Sequence, residues 1–288
     1  MYSLIGFGEN IKNLYKLCLP YLDKDIKSVQ DIRNPYLTFL ERHQPNAPVN
    51  WDISYKIYDK GIENKLVKAY SDSELNDLKQ DNLIDDEISW NDKKSHYELI
   101  DEGYEILCSH NPEVKQLFDL VVHSIFVRNS KTANGISKSY GGSASSAIGT
   151  TWISTNVYAC ANDYAEFLLH ELTHHLVFLD ERCYPQFNYA EMVKPENFAV
   201  SAILKMPRPL DKVVHSIIVG TEILLARKNF MNLANVRVHP TSSKLETNIK
   251  ASINDVLDLD NLEDILRPRG IHLVSACRNA ITNYREVA

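Results

Sequence analysis

The sequence predicts a mainly α-helical protein with a small β-sheet, an α+β fold, and three observations carry that prediction. Most of the chain falls into long stretches whose apolar side chains recur every three or four residues, the spacing of helices with one buried face. Gly135 to Ser154 departs from that spacing. There Gly141-Gly142-Ser143-Ala144-Ser145-Ser146 precedes an apolar run from Ile148 to Ser154, and glycines and β-formers replace helix formers, as in strands or extended turns. The third observation is a pair of long helices, Asp163 to Asp180 and Pro209 to Asn229, expected to pack on each other with the functional site between them.

The elements follow in order. Ile11 to Leu22 and Glu63 to Leu78 read as helices, and the proline-marked stretch from Gln44 to Asn50 as a loop. Gln80 to Lys94 is acidic, polar and without period. It is the expected boundary between a mostly helical region, residues 1–94, and a domain carrying the chemistry, residues 95–288. Tyr97 to Cys108 and Glu113 to Phe126 read as helices, the second through Val114, Leu117, Phe118, Val121 and Val122. Asp163 to Asp180 is the clearest helix. Asp163 is placed to cap it, with Glu166 three residues on as in a capping box. Phe167, Leu168, Leu172, Leu176 and Leu179 give its apolar face. The second long helix opens on Pro209, a residue favoured at a first helical position. Ser242 to Tyr284 reads as helical, broken at Pro268 and Gly270.

Composition narrows the classes of function. The formal net charge is −7, which argues against a general nucleic-acid footprint. The most apolar later stretch, Val213 to Ala226, contains His215 and Glu222 and is too short and polar to span a bilayer. The first residues lack the basic start and apolar run of a secretory signal. Five scattered cysteines without a CxxC pair read as reduced thiols, so a cytoplasmic protein is expected.

The decisive segment is His170-Glu171-Leu172-Thr173-His174. Residues four apart lie one turn apart on one helix face. Two imidazoles so placed can bind one metal ion without straining the backbone, and Glu171 projects beside the place a bound water would take. The donor set suits zinc hydrolysis with Glu171 as general base, and equally suits iron, where open positions belong to oxygenases. A third ligand is needed. The downstream candidates are His215, Glu191, Glu196, His239 and His272, and His215 is preferred because it lies in the second long helix. His175 reads as an outer or surface residue. The metzincin pattern is excluded, since Val177 stands where it needs Gly and Asp180 where it needs His.

Four features in order resemble a known family. They are the helical stretch from Asn111-Pro112-Glu113 to Val122, the Gly142 to Ser146 run with the strand ending Ile153-Ser154, Leu168 to His174, and Pro207-Arg208-Pro209-Leu210 with His215 five residues later. Residues 105 to 230 are similar to the HExxH-motif peptide-modification proteins, the 2-oxoglutarate-dependent HExxH-type peptide β-hydroxylases. The resemblance implies an enzyme that uses Fe(II), O2 and 2-oxoglutarate to hydroxylate a ribosomally made precursor peptide. It implies iron on His170, His174 and His215, with Glu171 as a base or orienting group. The cosubstrate carboxylate needs a cation. Arg208 is the first choice and Arg227 the second, because the guanidinium fork binds carboxylates bidentately. Ser143, Ser145 and Ser146 are candidate donors to cosubstrate or peptide. The rival readings are a zinc metallopeptidase built on the same histidines and a binding protein with a degenerate site.

Overall fold

A computed structural model describes residues 1–22, 26–71, 83–85, 87–109, 111–131, 139–155, 159–231, 233 and 235–284. Its centre is α6 (Ala161–Cys183), a helix of 23 residues buried along most of its length. The predicted cap is corrected by three residues. Cys160 takes the cap position, Asp163 sits at the third helical position and accepts from the Cys160 N–H at 3.0 Å, and Glu166 faces inward with another task. A carboxylate in the first turn favours a helix start wherever its box partner lies.

Helix α4 (Trp90–Ser109) runs along α6. The two approach at Gly103, where an added Cβ would stand 2.6 Å from the Tyr164 Cβ and 2.9 Å from the Ala165 nitrogen. Gly103→Ala is therefore expected to cost about 1–3 kcal/mol by overpacking, read as a lower midpoint in urea unfolding.

On the other side, α8 (Leu210–Asn229) packs on α6, as the sequence predicts. Pro209, the expected first helical residue, is its cap instead, so the helix starts one residue later, at Leu210. A hairpin of β4 (Ala199–Val200) and β5 (Pro207–Arg208) leads into it. Helices α1 (Tyr2–Cys18), α9 (Ser242–Leu257) and α11 (Pro268–Thr282) surround α8. Pro268 begins α11 rather than breaking a helix, its missing N–H being one that a first turn leaves unpaired anyway. Shorter helices α2 (Arg33–His43), α3 (Lys60–Ser71), α5 (Pro112–Val121), α7 (Tyr189–Met192) and α10 (Leu262–Ile265) complete the helical part.

The small sheet has the order β1–β3–β2, where β1 is Ser124–Arg128, β2 Gly141–Ser143 and β3 Thr150–Ser154. β1 and β3 are parallel and β2 antiparallel to β3. The helix expected to reach Phe126 ends at Val121, because the run from Val122 to Val127 is buried and β-branched at Val122, Ile125 and Val127, which suits a covered strand. The Tyr55–Ile57 stretch pairs along β1 through Ile125. Gly141 has φ +148°, and a Cβ there would meet the Trp152 carbonyl oxygen at 2.1 Å.

The main core joins Leu14, Tyr36 and Leu40 to Leu172, Val214, Ile218 and Leu273. The boundary expected near residue 94 falls inside α4, and residues from both sides share this core. Leu83 and Ile84, in the stretch read as a polar boundary, are buried. The part of the expected second helix beyond Ser71 lies outside the described residues. No helix among the described residues is long and apolar enough to cross a membrane.

Candidate functional site

The helical period sets His170 and His174 on one face of α6, and that face meets α8 at His215. The three rings form one cluster. His170 Nε2 and His174 Nε2 are 3.1 Å apart, and His174 Nδ1 is 3.0 Å from His215 Nδ1. They line a cavity of about 380 Å³ together with Glu171, Arg208, Lys212, Ser143, Ser145, His239, Phe167 and Phe178. Phe167 stacks on His170, and Phe178 lies against both His174 and His215.

Burial sets the protonation of this cluster. It holds His170 and His174 well below the ordinary imidazole range, with help from neighbouring rings. It pushes His215 down to about 3, assisted by the charges of Lys212 and Arg208. Neutral rings keep a lone pair for a ligand. Burial also pushes Glu171 up to about 8, and the hydrogen bond donated by Ser143 Oγ to Glu171 Oε2 offsets only part of that. A divalent cation in the cavity would oppose this upward push.

The fit to a metal is therefore good in chemistry and partial in geometry. Two half-buried neutral imidazoles present Nε2 atoms at a separation that one ion can span, given ligand bonds of about 2.0–2.1 Å. His215 instead meets the Nδ1 edge of His174. Among the described residues no three metal-capable side chains converge on one point.

The remaining expectations divide. Ser143 is joined to Glu171, and Ser145 lines the cavity. Ser146 does not, and its hydroxyl donates to the Ala69 carbonyl at 2.7 Å. Arg208 stands on the cavity wall at the end of β5. Arg227 does not reach it as a free fork, because both its Nε and Nη2 donate to Glu166 at 2.7 Å. Glu191 pairs with Lys194, Glu196 lies in a short 3-10 turn, and His272 is an exposed residue of α11, all outside the cavity. Asp180, at the position where the metzincin pattern needs His, is buried and accepts from Arg269, Asn13 and Gln186.

Three roles were not read from the sequence. His175, read as an outer or surface residue, is buried and takes the first of those places. Its Nδ1 accepts from the Gly149 N–H at 3.1 Å, so its proton sits on Nε2, facing Thr151 Oγ1 at 3.1 Å and Ser143 Oγ at 3.4 Å. It thereby ties α6 to the sheet and places Ser143 for Glu171. His239 touches His170 Nδ1 through its Nε2 at 2.7 Å, and its Nδ1 meets Glu166 Oε1 at 2.9 Å. Glu166 was readable only as part of a cap. Its spacing of one turn before His170 was the available signal.

No family model and no curated protein matches the chain. The site therefore stands on its own geometry.

Proposed function

We propose that the chain is an Fe(II)/2-oxoglutarate-dependent hydroxylase that acts in the cytoplasm on the β-carbon of a residue in a ribosomally made precursor peptide. The observation that carries this reading is the make-up of the cavity. The neutral imidazoles of His170, His174 and His215 and a fourth ring, His239, share it with two basic side chains, Arg208 and Lys212, and Glu171 is the one carboxylate among the described residues that line it. Cations on the wall suit a dicarboxylic cosubstrate. The peptidase alternative with a glutamate ligand from a later helix lacks that glutamate, since Glu191 and Glu196 lie elsewhere.

His170 and His174 would hold the iron through their Nε2 atoms, with His215 as third ligand or as the partner that orients His174. When bound, iron would supply dioxygen activation coupled to conversion of 2-oxoglutarate to succinate and CO2. The chain's own residues do the rest. Arg208 binds the distal carboxylate of 2-oxoglutarate through its fork. Ser143 holds Glu171 in place and leaves its second oxygen toward the cavity, 3.8 Å from His170 Nε2. Glu171 can then hold a proton at that oxygen or orient the peptide. Phe167 and Phe178 flank the imidazoles and keep water from their faces.

One observation favours a second reading, a zinc peptidase. A buried carboxyl held by Ser143, with its second oxygen 3.8 Å from Nε2 of the first histidine, is placed as a general base acting on a metal-bound water would be. Arg208→Ala separates the two. In the hydroxylase it removes a charged bidentate contact worth about 1.5–3 kcal/mol, so the KM for 2-oxoglutarate is expected to rise about 10- to 100-fold. An unchanged KM would remove Arg208 from the cosubstrate site. Peptide cleavage that needs zinc and Glu171, without 2-oxoglutarate, would establish the peptidase.

A further inference from the structure

A line of buried polar groups runs away from the cavity behind His170. Arg227 grips Glu166 with two hydrogen bonds of 2.7 Å. Glu166 Oε1 meets His239 Nδ1 at 2.9 Å, and His239 Nε2 meets His170 Nδ1 at 2.7 Å. Both Glu166 and His239 are buried. The segment carrying His239 is pinned on both sides. The Arg237 N–H donates to Asp163 Oδ1 at 2.6 Å, and the Pro240 carbonyl accepts from Arg227 Nη1 at 2.8 Å.

Donor counting gives the line a direction. A carboxylate held by a guanidinium can only accept. His239 must therefore donate from Nδ1, and with one hydrogen on the ring its Nε2 is bare. The contact with His170 needs one hydrogen, which His170 Nδ1 supplies. His170 Nε2 is thus left bare, facing the cavity. His170 Nε2 lies 3.1 Å from His174 Nε2, and any hydrogen shared between them would be displaced by a metal ion held by both atoms. Both nitrogens of His239 are engaged, so it is not free to serve as the third ligand.

We infer that His239 is a positioning residue: anchored by Glu166 and Arg227, it fixes His170 in the tautomer that carries its proton on Nδ1 and offers Nε2 to a metal. The second half of this statement rests on the metal reading above, and the first half stands without it. Outer partners of this kind hold a ligand ring in orientation and raise its basicity.

The test reads both halves. Long-range ¹H–¹⁵N spectra of the metal-free protein, with the histidines labelled, report which ring nitrogen bears the proton. The wild type is expected to show His170 protonated on Nδ1. His239→Phe is expected to release it to carry the proton on Nε2. His239→Gln, whose amide can donate to Glu166 and accept from His170, is expected to keep the wild-type tautomer. Glu166→Gln preserves volume and is expected to give a mixture, so the inference does not depend on one variant folding. Co(II) titration, followed by its visible spectrum, is expected to show affinity about 10- to 100-fold weaker in His239→Phe and largely restored in His239→Gln. A wild-type His170 protonated on Nε2 overturns the inference, as does a Co(II) affinity unchanged in His239→Phe. A wild type with the Nδ1 proton that binds no Co(II) supports the tautomer and overturns the metal reading instead.

Discussion

His174→Ala is expected to abolish metal binding and turnover while leaving the fold in place. The ring takes part at both ends of the imidazole cluster, with Nε2 toward His170 and Nδ1 toward His215. Its removal deletes one of the two nitrogens that face each other across the cavity, and His215 loses the contact that orients it. Loss of an outer partner alone costs about 10- to 100-fold in metal affinity, so loss of a ligand should exceed that range. The helix itself should persist. Alanine is the best helix former, and the apolar face of α6 is carried by Leu168, Leu172, Leu176 and Leu179. Isothermal titration with Co(II), beside circular dichroism of the same sample, separates the two effects. Binding of wild-type strength in the variant would show that the ion sits elsewhere.

Arg227→Ala is expected to be the most destabilising of the charged-residue substitutions near the site, by about 3–5 kcal/mol. Arg227 gives Glu166 two hydrogen bonds and holds the Pro240 carbonyl as well. Removing it leaves a buried carboxylate with only the imidazole of His239. The pH dependence follows from the direction of the Glu166 shift. Burial raises its carboxyl, but the hydrogen bonds from His239 and Arg227 outweigh that and leave it below the ordinary carboxylate range. A group depressed on folding contributes stability above its unfolded value and loses it as the pH falls through the folded one. The gap between wild type and Arg227→Ala should therefore be full at neutral pH and shrink below the usual carboxylate range. Urea unfolding at several pH values measures it, and a gap that widens in acid would contradict the assignment.

How much of this could be read from the sequence follows the range of the interactions. Periodicity within one helix places His170 and His174 together, and the second amphipathic helix brings His215 to them, so the two long helices and the imidazole pair were legible. The same local reasoning misplaced Glu166. A carboxylate three residues after an aspartate fits a cap, and nothing within the helix announces that Arg227 and His239, more than 60 residues on, converge on it. Arg227 and Arg208 looked alike as carboxylate binders, and the fold joins Arg227 to Glu166 and sets Arg208 on the cavity wall. Ser146 belonged to the right run but lies in the turn that follows β2, where its hydroxyl reaches the Ala69 carbonyl. The strand at Ser124–Arg128 was hidden in a helix because a fully buried strand carries no alternation to mark it.

The central claim is that the imidazole cavity supports 2-oxoglutarate-dependent oxidation. The most direct test purifies the protein anaerobically, loads it with Fe(II), admits oxygen with 2-oxoglutarate, and measures succinate. The account predicts succinate from the wild type and none from His174→Ala. Iron-loaded protein that neither binds 2-oxoglutarate nor forms succinate, or succinate formation equal in the two proteins, would contradict it.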